Sequence, residues 1–170
     1  MPRALVIGFG NIDRADDGVA FFVINVLRRR LDQKMLTEED AGLEDLGAPI
    51  DSIFLSQLVP ELLDTLAEYG QVIFVDAHVY ENMESLHCAT VLPEYTPATF
   101  THHVTPGMLL ALLKALHHLE PTGHTVSIRG YDFDFHRDLS PETKALVEPA
   151  VDYILHLLNW PKNFDPADFL

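Results

Sequence analysis

Short apolar runs alternate along this chain with stretches whose apolar positions recur every three or four residues. The runs Ala4–Ile7, Ile53–Leu55, Val72–Val75, Cys88–Leu92 and Thr125–Ile128 predict strands, being brief, partly β-branched and bounded by turn residues. Between them, Val19, Phe22, Val23, Val26 and Leu27 predict a helix from about Asp16 to Leu31. Leu62, Leu63, Leu66 and Ala67 predict a second, opened by Pro60 and stopped by Gly70. Met108, Leu109, Leu112, Leu113 and Leu116 predict a third behind Thr105-Pro106. Ser140-Pro141-Glu142 opens the last helix, expected to run to about Leu158 with a kink at Pro149. Residues 32–51 read as a solvated loop or short helix, and the tail from Trp160 as a surface segment.

Strands alternating with helices predict an α/β fold: one domain over residues 1–170, three layers, a mainly parallel twisted sheet of about five strands, and helices on both faces. VIFV (Val72–Val75) is continuous rather than alternating, as in strands covered on both sides. Ligands of such sheets sit beyond the carboxyl ends of the strands. Three groups fall there: Asp16 and Asp17 after the first strand, Asp76 after the third, and His102 and His103 between the fourth strand and its helix. The first pair has a plainer reading, since carboxylates at a helix start satisfy orphan N–H groups, whereas an Asp at the end of a buried strand is less easily explained by capping or solubility. Together, two carboxylates and an imidazole suit a borderline divalent cation such as zinc or nickel. His78 would point the same way as Asp76 only if the strand continued past Val75.

Charge narrows the choice. With 26 acidic against 11 basic residues, the net charge of −15 argues against nucleic acid and anionic membrane surfaces. A single cysteine, Cys88, excludes an internal disulfide and a cysteine-rich metal site. No apolar run is long enough to span a bilayer and no leader pattern precedes the first strand, which leads us to expect a cytoplasmic protein. The GFGN turn lacks the third glycine of a dinucleotide fingerprint, since Asp13 stands there and would repel a pyrophosphate. A phosphorylated receiver module also pairs acids after strand one with an Asp after strand three. Here the pair lies well beyond the strand, and TVSIRG carries no lysine. A serine hydrolase would need a G-x-S-x-G elbow, which is absent. His87, His124, His136 and His156 have no ligand-like spacing.

VIGFGNIDRADDGVA, SQLVPELLDTL, VIFVDAHV, THHVTPGMLLALL and LSPETKALVEPAVDYIL, in that order, resemble the hydrogenase maturation proteases, endopeptidases that trim the C-terminus of the nickel–iron hydrogenase large subunit. The resemblance runs from about Arg3 to Leu158, leaving out 32–51 and the tail. It implies a site of Asp17, Asp76 and His102, with His103 the alternative ligand and Asp16, Asn11 and His78 around them. It further implies that Asp17 and Asp76 serve catalysis and that the nickel is carried by the precursor, another divalent cation such as zinc substituting in vitro. Ala20 and Asp13 depart from the family pattern. A non-catalytic scaffold that binds nickel or the precursor without cleaving it is the alternative.

Overall fold

A computed structural model describes residues 3–95 and 104–160. Five strands form one sheet: β1 (Ala4–Phe9), β2 (Ile50–Leu55), β3 (Gln71–His78), β4 (Leu86–Val91) and β5 (Thr122–Arg129), in the order β2-β1-β3-β5-β4. All pairings are parallel except β4 with β5, which is antiparallel. The helices are α1 (Val19–Arg30), α2 (Leu63–Leu66), α3 (Pro106–His117), α4 (Pro141–Lys144) and α5 (Val147–Leu157).

Alternation along the strands assigns the two faces. Ala4, Val6, Ile73 and Val75 pack under α1 and α5, whereas Leu5, Ile7, Val72 and Phe74 pack under α2 and α3. The strands are buried on both sides, which accounts for the continuous VIFV run. The chain leaves β1 through α1 toward β2 on one side, while β3 leads toward β4 and β5 on the other. The connections therefore diverge at the carboxyl ends of β1 and β3, the place where doubly wound sheets open a crevice. Among the described residues no helix is long and apolar enough to cross a membrane.

Several boundaries differ from the sequence reading. β3 does not end at Val75 but runs to His78, because Asp76, Ala77 and His78 pair in register with Ser127, Ile128 and Arg129. The first helix does not start at Asp16: Ala15–Gly18 is a separate 3-10 turn, and α1 begins at Val19. The last helix breaks at Ala145-Leu146, ahead of Pro149 rather than at it. Proline lacks an N–H and its ring collides with the carbonyl four residues earlier, here Ala145, so the interruption lies upstream. Residues 32–49 form a loop pinned from α1, while Ile50 and Asp51, read from the sequence as part of that loop, already belong to β2. The Asn25 side chain accepts from Leu36 N–H (2.7 Å) and donates to the Leu36 carbonyl (3.1 Å), and buried Arg28 donates to the carbonyls of Lys34 and Ser52. Residues 161–170, expected along the surface, lie outside the described residues.

Candidate functional site at the ends of strands β1 and β3

The loop between β1 and α1 sends its two adjacent aspartates in opposite directions. Gly10 leaves the strand with φ 150°, and a Cβ there would stand 2.1 Å from the Asp17 carbonyl oxygen, so only glycine permits this approach. Asn11 N–H then donates to Asp17 Oδ2 at 3.0 Å, and its side-chain oxygen accepts from Asp13 N–H at 2.9 Å, closing the loop on itself. Ala15 adopts the left-handed conformation (φ 47°), a cost of about 1 kcal/mol for a non-glycine residue. Hydrogen bonds from Ala15 N–H to the His136 carbonyl and from Asp16 N–H to the Asp132 carbonyl hold it there.

Asp16 is fully buried and points away from the strand ends. Its carboxylate accepts from the N–H groups of Tyr131, Asp132 and Ser140 (2.8–2.9 Å) and from the hydroxyls of Ser140 (2.6 Å) and Thr143 (2.9 Å). Burial works to raise its pKa. The hydrogen bonds from Ser140, Tyr131 and Asp132 outweigh that and leave it below the usual carboxylate value. Asp16 is thus an anchor for the segment 131–143.

Asp17 turns to the strand ends, where it lines a depression of about 420 Å³ together with Asp76. Asp76 lies on β3 two residues beyond Phe74 and faces the same side of the sheet. Ser127, its register partner on β5, donates a hydroxyl hydrogen bond of 2.6 Å to Asp76 Oδ1. Burial pushes the Asp76 carboxyl up to about 6; the Ser127 hydrogen bond opposes this and the nearby Asp17 charge adds to it. Two carboxylates facing one depression, one of them with its pKa raised by burial, can accept a cation or a proton in hydrolysis.

The other expected residues divide. His78 lines the depression because β3 continues to it, but both its ring nitrogens are engaged: Nε2 with the Glu84 carbonyl (2.9 Å) and Nδ1 with Tyr80 N–H (3.2 Å). It ties down the turn after β3. Asn11 acts through its backbone N–H on Asp17. His102 and His103 lie outside the described residues; Thr105, two positions after His103, caps α3 by accepting from Met108 N–H. Among the described residues no three of His, Cys, Asp and Glu converge closely enough to hold a metal ion. The donors present are two hard carboxylates, which suit a divalent cation only when further ligands join them.

Sequence reasoning missed Ser127, His87, Met83 and Phe133, all of which line the depression. His87 lies opposite Ser127 in the β4–β5 ladder, so Asp76, Ser127 and His87 form one row across three strands. The row follows from pairing register, for which the sequence carries no local mark. Phe133 belongs to the segment that Asp16 anchors, and its contribution depends on contacts spanning more than a hundred residues. A second hollow, of about 470 Å³ between α1 and α5, is bordered by Phe22, Val26 and Val147 and lies apart from both aspartates.

Comparison with known proteins bears on this geometry. No family model matches the chain. The hydrogenase 2 maturation protease of Escherichia coli (strain K12) is 26% identical over 162 residues, covering 92% of this chain and 90% of that protein. The hydrogenase maturating endopeptidase HybD of Escherichia coli has the same fold, with a TM-score of 0.66, 22% identity and 92% of each chain covered. The [NiFe] hydrogenase maturation protease HybD from Thermococcus kodakarensis superposes with a TM-score of 0.66 at 18% identity, covering 91% of this chain and 98% of that one. By a sequence relationship spanning nearly the whole chain, and by the fold shared with these proteins, this chain is similar to the hydrogenase maturation proteases.

Proposed function

We propose that this protein, a peptidase by family, removes a C-terminal peptide from the nickel-loaded precursor of a nickel–iron hydrogenase large subunit, acting in the cytoplasm. In this reading Asp17, Asp76 and His102, with His103 as the alternative to His102, recognise nickel that the precursor already carries. The ion belongs to the substrate. The observation that carries the reading is the pairing of Asp17 and Asp76 in one depression at the divergence of β1 and β3, with Asp76 held near pKa 6.

The chain's own groups supply what peptide hydrolysis needs. Asn11 N–H fixes Asp17 Oδ2, and among the described residues Oδ1 has no hydrogen-bond partner and can face the substrate. Asp76, kept partly neutral by burial, can give up its proton as a positive centre arrives, and so change from a weak to a strong oxygen ligand. One of the two carboxylates then serves as base toward the attacking water, while the Ser127 hydroxyl keeps Asp76 oriented.

Intact-mass analysis tests this. The nickel-loaded precursor from the same organism is incubated with the protein and with its Asp76→Ala and His102→Ala variants. Loss of a C-terminal peptide with the parent protein alone is the expected result. An unchanged precursor mass in a stable, nickel-dependent complex would replace the peptidase reading with that of a binding scaffold.

A further inference from the structure

The lining of the depression that holds Asp17 and Asp76 mixes two chemistries. Asp17, Asp76, His78, His87, Thr125 and Ser127 are polar, whereas Val79, Met83 and Phe133 are apolar. Cation recognition and proton transfer use the polar residues but have no use for the apolar ones, which leaves those to be explained.

Phe133 is placed there by several independent devices. Gly130 leaves room for it: a Cβ at that position would stand 2.4 Å from the Phe133 Cζ. Between Gly130 and Phe133, the Tyr131 and Asp132 N–H groups are held by the buried Asp16 carboxylate. Arg14 Nε donates to the Phe133 carbonyl at 3.4 Å, and the Asp132 side chain accepts from Asp134 N–H at 2.9 Å. The neighbouring aromatics face elsewhere, each under a guanidinium: Arg129 lies 4.7 Å from the Tyr131 ring centre and Arg14 lies 5.7 Å from that of Phe135. In a segment reading YDFDFHRD, one ring out of three is turned toward the aspartates and locked in position.

We propose that Phe133 is a specificity-determining residue, forming with Val79 and Met83 the apolar subsite that receives an apolar side chain flanking the scissile peptide bond of the precursor. The inference rests on the peptidase reading above and adds to it the chemistry of the residue beside the cut. A polypeptide laid with its scissile carbonyl over the carboxylates has the side chains of the two flanking residues within reach of the depression's walls. An apolar one is stabilised on the Phe133 side, and a charged one loses its hydration there without a partner. Pockets of this kind discriminate by about ten- to two-hundredfold per methylene removed.

The experiment measures kcat/KM by precursor mass for the parent protein, Phe133→Ala and Phe133→Leu. Each is assayed against the nickel-loaded precursor and against precursors whose two scissile-flanking residues are changed, one at a time, to Ala, Trp or Asp. At one flanking position the parent is expected to prefer the apolar residue over Asp by about a hundredfold. Phe133→Ala is expected to lose about ten- to a hundredfold on the native precursor, mostly in KM, and to gain relative activity on the Trp precursor through the space opened. Phe133→Leu is expected to fall between. A uniform loss across every precursor, or no loss at all, overturns the proposal while leaving the peptidase reading intact. Failure of the parent protein to shorten any precursor overturns both.

Discussion

Replacing Asp76 by Asn is expected to stabilise this protein, and to do so only above about pH 4. A carboxyl raised from 3.8 to about 6 on folding binds its proton more tightly in the native than in the unfolded state. Between those values the native state carries more protons, so wild-type stability falls as pH rises, and the loss is complete above about 6. At 1.36 kcal/mol per pH unit the total comes to about 3 kcal/mol. Asparagine matches aspartate in size, still accepts the Ser127 hydroxyl through its side-chain oxygen, and brings no charge into the buried position. Denaturant unfolding of parent and variant between pH 4 and 8 should therefore give equal stabilities at the acid end. At pH 7.5 the variant should lead by about 3 kcal/mol, or about 6–12 °C in Tm for a chain of this size. The Asp17 charge contributes part of the shift, so in an Asp17→Asn background the gain should shrink. A difference that does not change with pH, or a variant less stable than the parent at pH 7.5, would refute the assignment of Asp76 as a destabilised carboxyl.

Two further substitutions test the surroundings of the site. Asp16→Asn should cost about 3–5 kcal/mol at neutral pH, because an amide cannot serve five donors aimed at one carboxylate; urea unfolding measures this. Since its folded pKa is depressed, the Asp16 contribution is present above the usual carboxylate range and lost as pH falls through the folded value, opposite to Asp76. Gly10→Ala should abolish precursor shortening, because its Cβ occupies the space of the Asp17 carbonyl. Far-ultraviolet circular dichroism should show the helices and sheet retained.

Much of the architecture was legible because it is written in local pattern. The VIFV run, the Thr105-Pro106 and Ser140-Pro141 helix starts, and the 3.6-residue faces of α1 and α3 each state their element within a dozen residues. The boundaries were not. β3 extends through Asp76, Ala77 and His78 because β5 supplies partners for all three, and a strand that ends in charged residues has no inner signal of where pairing stops. The antiparallel turn of β4, which brings His87 into the row with Ser127 and Asp76, is likewise a matter of register. Propensity speaks for one segment, whereas register belongs to two.

Asp16 and Asp17 carry that limit to its end. They are the same residue type, side by side, in the one turn ahead of α1, and a capping argument treats them alike. Among the described residues one has five hydrogen-bond donors and is fully buried, while the other has a single backbone donor and lines the depression with Asp76. What separates them is the left-handed Ala15, which rotates successive side chains apart, and the segment 131–143, which arrives more than a hundred residues later to claim the first of the pair. The anchor and the candidate ligand are thus mechanically joined. Holding 131–143 fixes Asp16, fixing Asp16 sets the turn that presents Asp17, and the same segment delivers Phe133 to the lining of the same depression. A single buried carboxylate coordinates both sides of the depression, so the residue farthest from the chemistry in orientation is the one on which its geometry depends.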